Sequence, residues 1–328
     1  MEYFFSLPKI TDLTIEQQAV LYEELPIALS GGAGTGKSVV SIYRHLQNYN
    51  KDNSSILLTY TRTLEKYLFK SIKKINPEAS KGVHSAKSYL FSRNKFDNNI
   101  YEIIIDEAQD LPYRDIEILK SFAKNVSYGA DFNQQLYANT ITRDEIKNLF
   151  PKNIKYHLEQ NFRNTKEIIN FTKAILPTFP INSRDVDRNG EKPMLLIGKN
   201  QINQIIKIIE AYQSDKGNIA ILLPFSKDVD YFFNNLKDKV DCSYYPNETK
   251  ELEIKNIHIT TFKSSKGLEF DTVIIPNFHN FKYNIKNTMT YIEENDYYVA
   301  FTRAKTNLFL ISFVNLNISG DSYKMEEF

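Results

Sequence analysis

The chain has 328 residues, with 41 Lys and Arg against 40 Asp and Glu and a formal net charge of +1, which excludes a histone-like polybasic binder while leaving room for a local basic groove. At about 150 residues per domain the length predicts two domains, and 42% hydrophobic residues are enough for packed cores. A single cysteine excludes a disulfide framework, a Cys-ligated zinc site and an iron–sulfur cluster. The opening MEYFFSLPKITD has neither a basic n-region nor a sustained apolar run, and no stretch approaches 18 apolar residues, so the expectation is a cytoplasmic globular protein without a membrane span.

The first predicted strand, Ile27–Ser30, runs into a glycine cluster, and the helix Val39–Gln47 follows it. Four of the 11 glycines (Gly31, Gly32, Gly34, Gly36) fall within six residues and complete G-x-x-x-x-G-K-[ST] from Gly31 to Ser38. In that strand–loop–helix context the glycines let backbone amides face inward as an anion nest, and the helix N-terminus adds partial positive charge. Lys37 is then placed for the β- and γ-phosphates of ATP, and Ser38 for Mg²⁺. A second strand, Ile56–Tyr60, precedes a helix over Leu64–Ile75.

The third strand, Tyr101–Ile105, carries the continuous apolar run Ile103–Ile105, as in a parallel sheet covered on both faces. It delivers Asp106 and Glu107 at its C-terminal end, where ligands of open α/β sheets bind. Asp106 suits a Mg²⁺-holding carboxylate and Glu107 a general base for the water attacking the γ-phosphate. Helices over Asp115–Phe122 and Arg143–Phe150 flank a strand at Val126–Ala130. A hinge is expected between Tyr156 and Thr165, and a polar loop at Asn182–Pro193 opens a second series. Its strands are Met194–Ile197, Ile219–Leu223, Ile257–Phe262, Thr272–Ile275 and Leu308–Phe313, with helices over Gln201–Gln213 and Val229–Leu236. Alternating strands and helices predict parallel sheets built from βαβ units. The expected domains are therefore 1–160 and 161–314, with 315–328 a frayed polar tail.

DEAQD (Asp106–Asp110) after such a phosphate loop resembles the UvrD/Rep/PcrA group of superfamily 1 helicases, and further motifs of that group stand in order. LTIEQQ puts Gln17 at the adenine-reading position, and LTYTRT puts Tyr60 where an aromatic ring stacks on a single-strand base. VHSA, with His84, resembles the next nucleic-acid contact, and GADFNQQLY carries Gln134 at the γ-phosphate sensor. LEQNFRNT places Arg163 at the γ-phosphate contact, and its Phe162 stands where an aromatic ring stacks. TTFKSSKGLEF and YVAFTRAK match the second domain's motifs, with Gly267 and a ribose contact at Glu269 in the former and an arginine finger at Arg303 in the latter. The resemblance spans residues 13–305 and implies two tandem RecA-like domains, ATP in the cleft between them, Mg²⁺, and 3′-to-5′ movement on single-stranded DNA, with RNA left open.

Three departures stand out. Val39 occupies the family's adenine-facing arginine position, Phe162 replaces a tyrosine, and there is no tryptophan. Base stacking would fall to Tyr60, Phe262 and Tyr137, although the core is the commoner place for Tyr and Phe. Arg62, Lys66, Lys70, Lys73 and Lys74, with Lys263 and Lys266, offer cations for a phosphate backbone or for an ordinary solvated face. The loop His279–Lys286 reads equally as a strand contact or a partner surface. Only 47 positions separate Thr59 from Asp106 and 98 separate Arg163 from Thr261, so large accessory insertions are missing from both intervals. That predicts a minimal translocating ATPase working with a protein partner such as a nuclease, in DNA repair or phage defence. The alternative is a nucleotide-controlled switch subunit without unwinding of its own. A small-molecule kinase fits the phosphate loop but not the later motifs.

Overall fold

Apolar strand cores bounded by turn residues fold into two sheets in the computed structural model, which describes residues 2–3, 7–49, 54–92, 100–214, 217–245, 254–316 and 321–327. The chain divides into two units: residues 5–160, and residues 161–328 together with 1–4.

In the first unit α1 (Ile15–Leu21) precedes β1 (Ile27–Gly31), α2 (Lys37–Asn48), β2 (Ser54–Thr59), α3 (Arg62–Lys73), β3 (Val83–Ser85) and α4 (Ala86–Phe91). β4 (Ile100–Ile105), α5 (Tyr113–Lys120), β5 (Ala123–Ala130), α6 (Arg143–Leu149) and β6 (Ile154–Leu158) follow. The strand order is β3-β2-β4-β5-β1-β6, with every pairing parallel. β4 shows why its last three residues are all isoleucine: Ile103 and Ile105 pack into one face's core with Leu58, Val126 and Ile146, while Ile104 packs into the other with Ile42, Leu57 and Leu68. The register Leu58↔Ile105 and Ile105↔Tyr128 brings the ends of β2, β4 and β5 level, so the loops after them share one edge.

The second unit contains α7 (Lys166–Ile175), β7 (Met194–Ile197), α8 (Gln201–Tyr212), β8 (Ile219–Leu223), α9 (Ser226–Leu236), β9 (Ser243–Tyr245) and β10 (Ile257–Thr261). It continues with β11 (Phe270–Ile275), α10 (Phe281–Lys286), α11 (Glu294–Thr302), β12 (Ala304–Ser312) and β13 (Lys324–Glu327). The order is β13-β7-β12-β11-β8-β10-β9, again all parallel. Ile219, Ile221 and Leu223 of β8 and Ile257 and Ile259 of β10 close a core with Ile205 and Ile209 of α8 and Val229 and Phe232 of α9. Both units are thus α/β layers of the RecA-like kind.

Two sequence expectations change. Residues 315–328 do not simply fray: Lys324–Glu327 add an edge strand to β7, with Lys324 N–H donating to Pro193 O at 2.8 Å. All four side chains are exposed, so beyond its backbone pairing the strand is held only by the exposed Lys324–Glu191 ion pair among its described side-chain contacts, and it leaves no apolar pattern to read. Glu2 and Tyr3 belong with the second unit rather than the first, through an antiparallel bridge between Glu2 and Lys255.

Candidate functional site

The segment after β1 folds as a phosphate loop needs to. Gly34 and Gly36 have φ of 73° and 89°, the left-handed region open to glycine. At Gly31 a Cβ would lie 2.7 Å from Leu158 O, so a side chain there would collide with the backbone of β6. Lys37 is buried at the first turn of α2, and its ammonium donates to Gly31 O and Gly32 O, both at 2.8 Å. The loop thus closes around a cation held at its centre, the charge a phosphate chain would meet. Gln17 braces it from outside: its Nε2 donates to Thr35 O at 3.0 Å, and its Oε1 accepts from Thr14 N–H at 3.0 Å. One donor and one acceptor of the carboxamide are thus engaged with protein, and in this structure Gln17 supports the loop.

Asp106 directly follows β4, within reach of the loop's Ser38 and Lys37. It is 1% exposed; Ser41 Oγ donates to its Oδ1 at 3.2 Å, and its Oδ2 has no hydrogen-bond partner. Burial, reinforced by the neighbouring Glu107, pushes this carboxyl well above the usual range, while Ser38 and Lys37 pull it down. A buried carboxylate oxygen lacking a partner is costly unless a cation meets it. The hard-oxygen pair Ser38 and Asp106 therefore fits Mg²⁺.

Glu107 has φ 58° and ψ 43°, left-handed for a residue with a side chain, a strain that persists only where the surroundings impose it. Its carboxylate accepts from Gln109 Nε2; Gln109 Oε1 accepts from Asp131 N–H at 3.0 Å; Asp131 Oδ2 accepts from Gln134 Nε2 at 2.7 Å. The expected base and the expected phosphate sensor are therefore joined by two residues, Gln109 and Asp131, that sequence reasoning did not single out. Their signal was present, since both sit inside the motifs DEAQD and GADFNQQLY.

In the second unit Arg163 Nε donates to Glu269 Oε2 at 3.1 Å, and Lys305 Nζ lies 3.9 Å from Glu269 Oε1. Burial pushes the Glu269 carboxyl up, but Arg163, Lys305 and Arg303 together outweigh it and hold it below its ordinary value. Arg303 is 1% exposed, with Nε donating to Val299 O at 3.1 Å and Nη1 to Leu268 O at 3.2 Å. In this conformation its guanidinium supports the chain leading to Glu269. Asn164, also unforeseen, donates through Nδ2 to Thr302 O and Ala304 O at 3.2 and 2.6 Å, tying the Arg163 loop to the residues flanking Arg303. Phe162 beside it is exposed, and Gly267 has φ 82°.

Among the proposed nucleic-acid contacts of the first unit, Tyr60 and Tyr137 come together after β2 and β5, ring centroids 4.5 Å apart and tilted 50°. Both are half-buried, Arg62 is exposed at the start of α3, and His84 packs 5.6 Å from Tyr89, where burial lowers its pKa. In the second unit Phe262 corrects the sequence reading. It is 0% exposed and packs edge-on to Tyr297 at 5.0 Å, a core ring with no face left for a base. Lys263 is half-buried, its ammonium 3.5 Å from Tyr291 O and 3.9 Å from buried Asp296.

Comparison with known proteins identifies the family and the fold. The family described as "Schlafen group 3, DNA/RNA helicase domain" matches residues 27–241, and "UvrD-like helicase C-terminal domain" matches residues 241–315. A protein of Acanthamoeba polyphaga mimivirus, "Putative ATP-dependent DNA helicase R568", is 31% identical over 245 residues, covering 66% of this chain and 35% of that one. A Mycoplasma pneumoniae protein, "Probable DNA helicase", is 24% identical over 247 residues, covering 66% and 44%. The match thus spans less than half the length of each of these relatives. Among solved structures, S. cerevisiae Dbp5 bound to RNA and ADP BeF3 superposes with a TM-score of 0.60 at 13% identity, covering 95% of this chain and 85% of that one. Arterivirus nonstructural protein 10 (helicase) gives 0.50 at 12% identity, covering 92% and 62%. At such identities these likenesses show the RecA-like fold. Among the described residues, no helix is long and apolar enough to cross a membrane.

Proposed function

The chain belongs to the Schlafen group 3 DNA/RNA helicase domain family of superfamily 1 helicases, and on that premise we propose that it is a nucleic-acid-dependent ATPase that translocates on a single strand. The observation that carries this reading is the hydrogen-bonded run Glu107–Gln109–Asp131–Gln134 beside a phosphate loop already closed around Lys37. A mere nucleotide-binding fold needs the loop but has no use for a strained carboxylate tied to a γ-phosphate sensor.

In this reading Lys37 and the loop amides bind the phosphates, and Ser38 and Asp106 would hold Mg²⁺, which when bound neutralises charge on the β- and γ-phosphates. Glu107 orients the attacking water and takes its proton, and Gln109 fixes the carboxylate that does so. Arg163 and Arg303 stabilise charge developing on the γ-phosphate, Glu269 reads the ribose and Phe162 stacks on the base; the resemblance assigns both sets to one nucleotide. Tyr60 and Tyr137 stack on unpaired bases, while Arg62, His84 and Lys263 meet the backbone. DNA is the proposed strand, with 3′-to-5′ movement and a protein partner such as a nuclease, in repair or phage defence.

Steady-state ATP hydrolysis with and without single-stranded DNA or RNA tests it, beside Glu107→Gln. Stimulation by a strand, lost in the variant by roughly 100-fold or more, is the expected result. A rate indifferent to either strand would replace the motor with a nucleotide-controlled switch.

A further inference from the structure

The segment Glu2–Tyr3 was silent in the sequence, yet it is docked against the Arg163–Glu269 cluster of the second unit. Tyr3 N–H donates to Ile254 O at 2.9 Å, and Glu2 bridges Lys255 in antiparallel fashion, so the two residues lie as a short strap beside the entry to β10. The strap ends in the phenol. Tyr3 Oη donates to Glu269 O at 2.5 Å and accepts from Glu269 N–H at 3.1 Å. One hydroxyl thereby makes both main-chain hydrogen bonds of Glu269, as a neighbouring strand would. The next residue behaves differently: Phe270 N–H donates to Arg303 O at 3.0 Å, within the pairing of β11 with β12. The Tyr3 ring is fixed in turn, edge-on to Phe270 with centroids 5.7 Å apart.

We infer that Tyr3 is a positioning residue of the nucleotide site, acting through Glu269, and that it sets how strictly the site reads the ribose of a nucleoside triphosphate. This rests on the reading of Glu269 as the ribose contact. Three features converge. Glu269 directly precedes β11, just before the shift in its register with β12, where its amide and carbonyl would otherwise have to find solvent or another partner. Its carboxylate is already aimed by Arg163 and Lys305, so a main chain held in addition by Tyr3 leaves the side chain little freedom. A group that must meet a sugar hydroxyl within hydrogen-bond distance needs that immobility, since a displacement of about 1 Å loses the contact. Burial and the nearby Glu269 charge both raise the Tyr3 pKa, keeping the phenol protonated and able to donate.

The test is Tyr3→Phe in the full chain, which removes the hydroxyl and keeps the ring against Phe270. Hydrogen exchange at the Glu269 amide should accelerate at least tenfold. KM for ATP should rise about three- to tenfold with kcat changed less, and the preference for ATP over 2′-deoxyATP and 3′-deoxyATP should fall toward that of Glu269→Gln. A variant with a lower melting temperature but wild-type KM and wild-type preference would overturn the inference and leave Tyr3 a purely structural strap. Unchanged exchange at Glu269 would overturn it sooner. If the wild type hydrolyses no ATP, the reading of the chain as an ATPase fails; the same preference read as equilibrium binding of the three nucleotides still decides whether Tyr3 positions the ribose contact.

Discussion

Glu102→Gln isolates one charge in the core of the first unit. Glu102 on β4 is 1% exposed, and the side chain of its partner Arg44 on α2 is 4% exposed. Arg44 Nε and Nη2 both reach Glu102 Oε1 at 2.9 Å, Ser127 Oγ and Asn48 Nδ2 complete the carboxylate's shell, and Ser127 Oγ accepts from Ile27 N–H at 2.9 Å. Two further carbonyls, Glu23 O at 2.7 Å and Leu25 O at 3.0 Å, hold the guanidinium. The cluster pins α2, which begins with Lys37 and Ser38, to β4, which ends before Asp106. Removing the negative charge leaves a guanidinium with carbonyl partners only, and an uncompensated buried ion costs about 3–5 kcal/mol. With a denaturant slope of about 1–3 kcal/mol per molar urea, the unfolding midpoint should fall by about 1–5 M. Adding Arg44→Met to that background should recover at least about 2 kcal/mol, because the unpaired charge is gone. A midpoint within 0.3 M of wild type for Glu102→Gln, or a double variant no better than the single, would refute the reasoning.

Gly36→Ala places a Cβ 2.4 Å from Gln17 Nε2 at a φ of 89°, so ATP affinity should fall at least about tenfold by nucleotide titration, with Gln17→Ala relieving only the steric part. Phe262→Ala should cost about 3–5 kcal/mol in thermal or urea unfolding while leaving strand affinity per folded molecule unchanged. Tyr60→Ala or Tyr137→Ala should do the reverse, weakening single-strand binding by about 1–3 kcal/mol in an anisotropy titration. His45 and His258 are buried, and burial pulls both pKa values from 6.5 to about 4. Being depressed bases, they contribute stability that is full above pH 6.5 and lost toward pH 4, each by up to about 2 kcal/mol at pH 5. His258→Gln should flatten part of that slope in urea midpoints taken from pH 7.5 to 5.

The strands and the phosphate loop were legible because they repeat physical necessities: the Ile103–Ile105 run is covered on both faces, and Gly34 and Gly36 sit at positive φ. Helices α2, α3, α5, α6, α8 and α9 were legible from their apolar spacing, to within a few residues at their ends. What escaped includes β6, where a hinge from Tyr156 was expected, and strands that the backbone alone decides. β3 and β9 are three residues long, and β13 is exposed on every side chain, so none has room for a pattern. Phe262 and Tyr60 show the same limit for aromatics: composition treats them alike, and only tertiary packing buries the first and leaves the second half-open. Gln109, Asp131 and Asn164 lay within recognised motifs, yet their roles depend on partners that no spacing predicts.

The first unit contains a physical route by which a strand could accelerate hydrolysis. Gln135 Nε2 contacts Gln109 O at 3.2 Å, Thr140 Oγ1 at 2.6 Å and Ile141 O at 3.2 Å, closing the loop that carries Tyr137 onto the Asp106–Asp110 segment. Tyr137 in turn lies on Tyr60. A base that moved the tyrosine pair would therefore act on the segment holding Gln109, whose side chain fixes Glu107. Such coupling between neighbouring sites is commonly about 0.5–2 kcal/mol, equivalent to roughly two- to thirtyfold in rate. Gln135→Ala should then keep basal hydrolysis and single-strand affinity while cutting the stimulation factor by that amount. Loss of basal rate and stimulation together would make Gln135 a structural prop of the hydrolytic segment. Stimulation at the wild-type factor would mean that the strand's effect reaches Glu107 by some other path, and Tyr60 and Tyr137 would then be a grip without a lever.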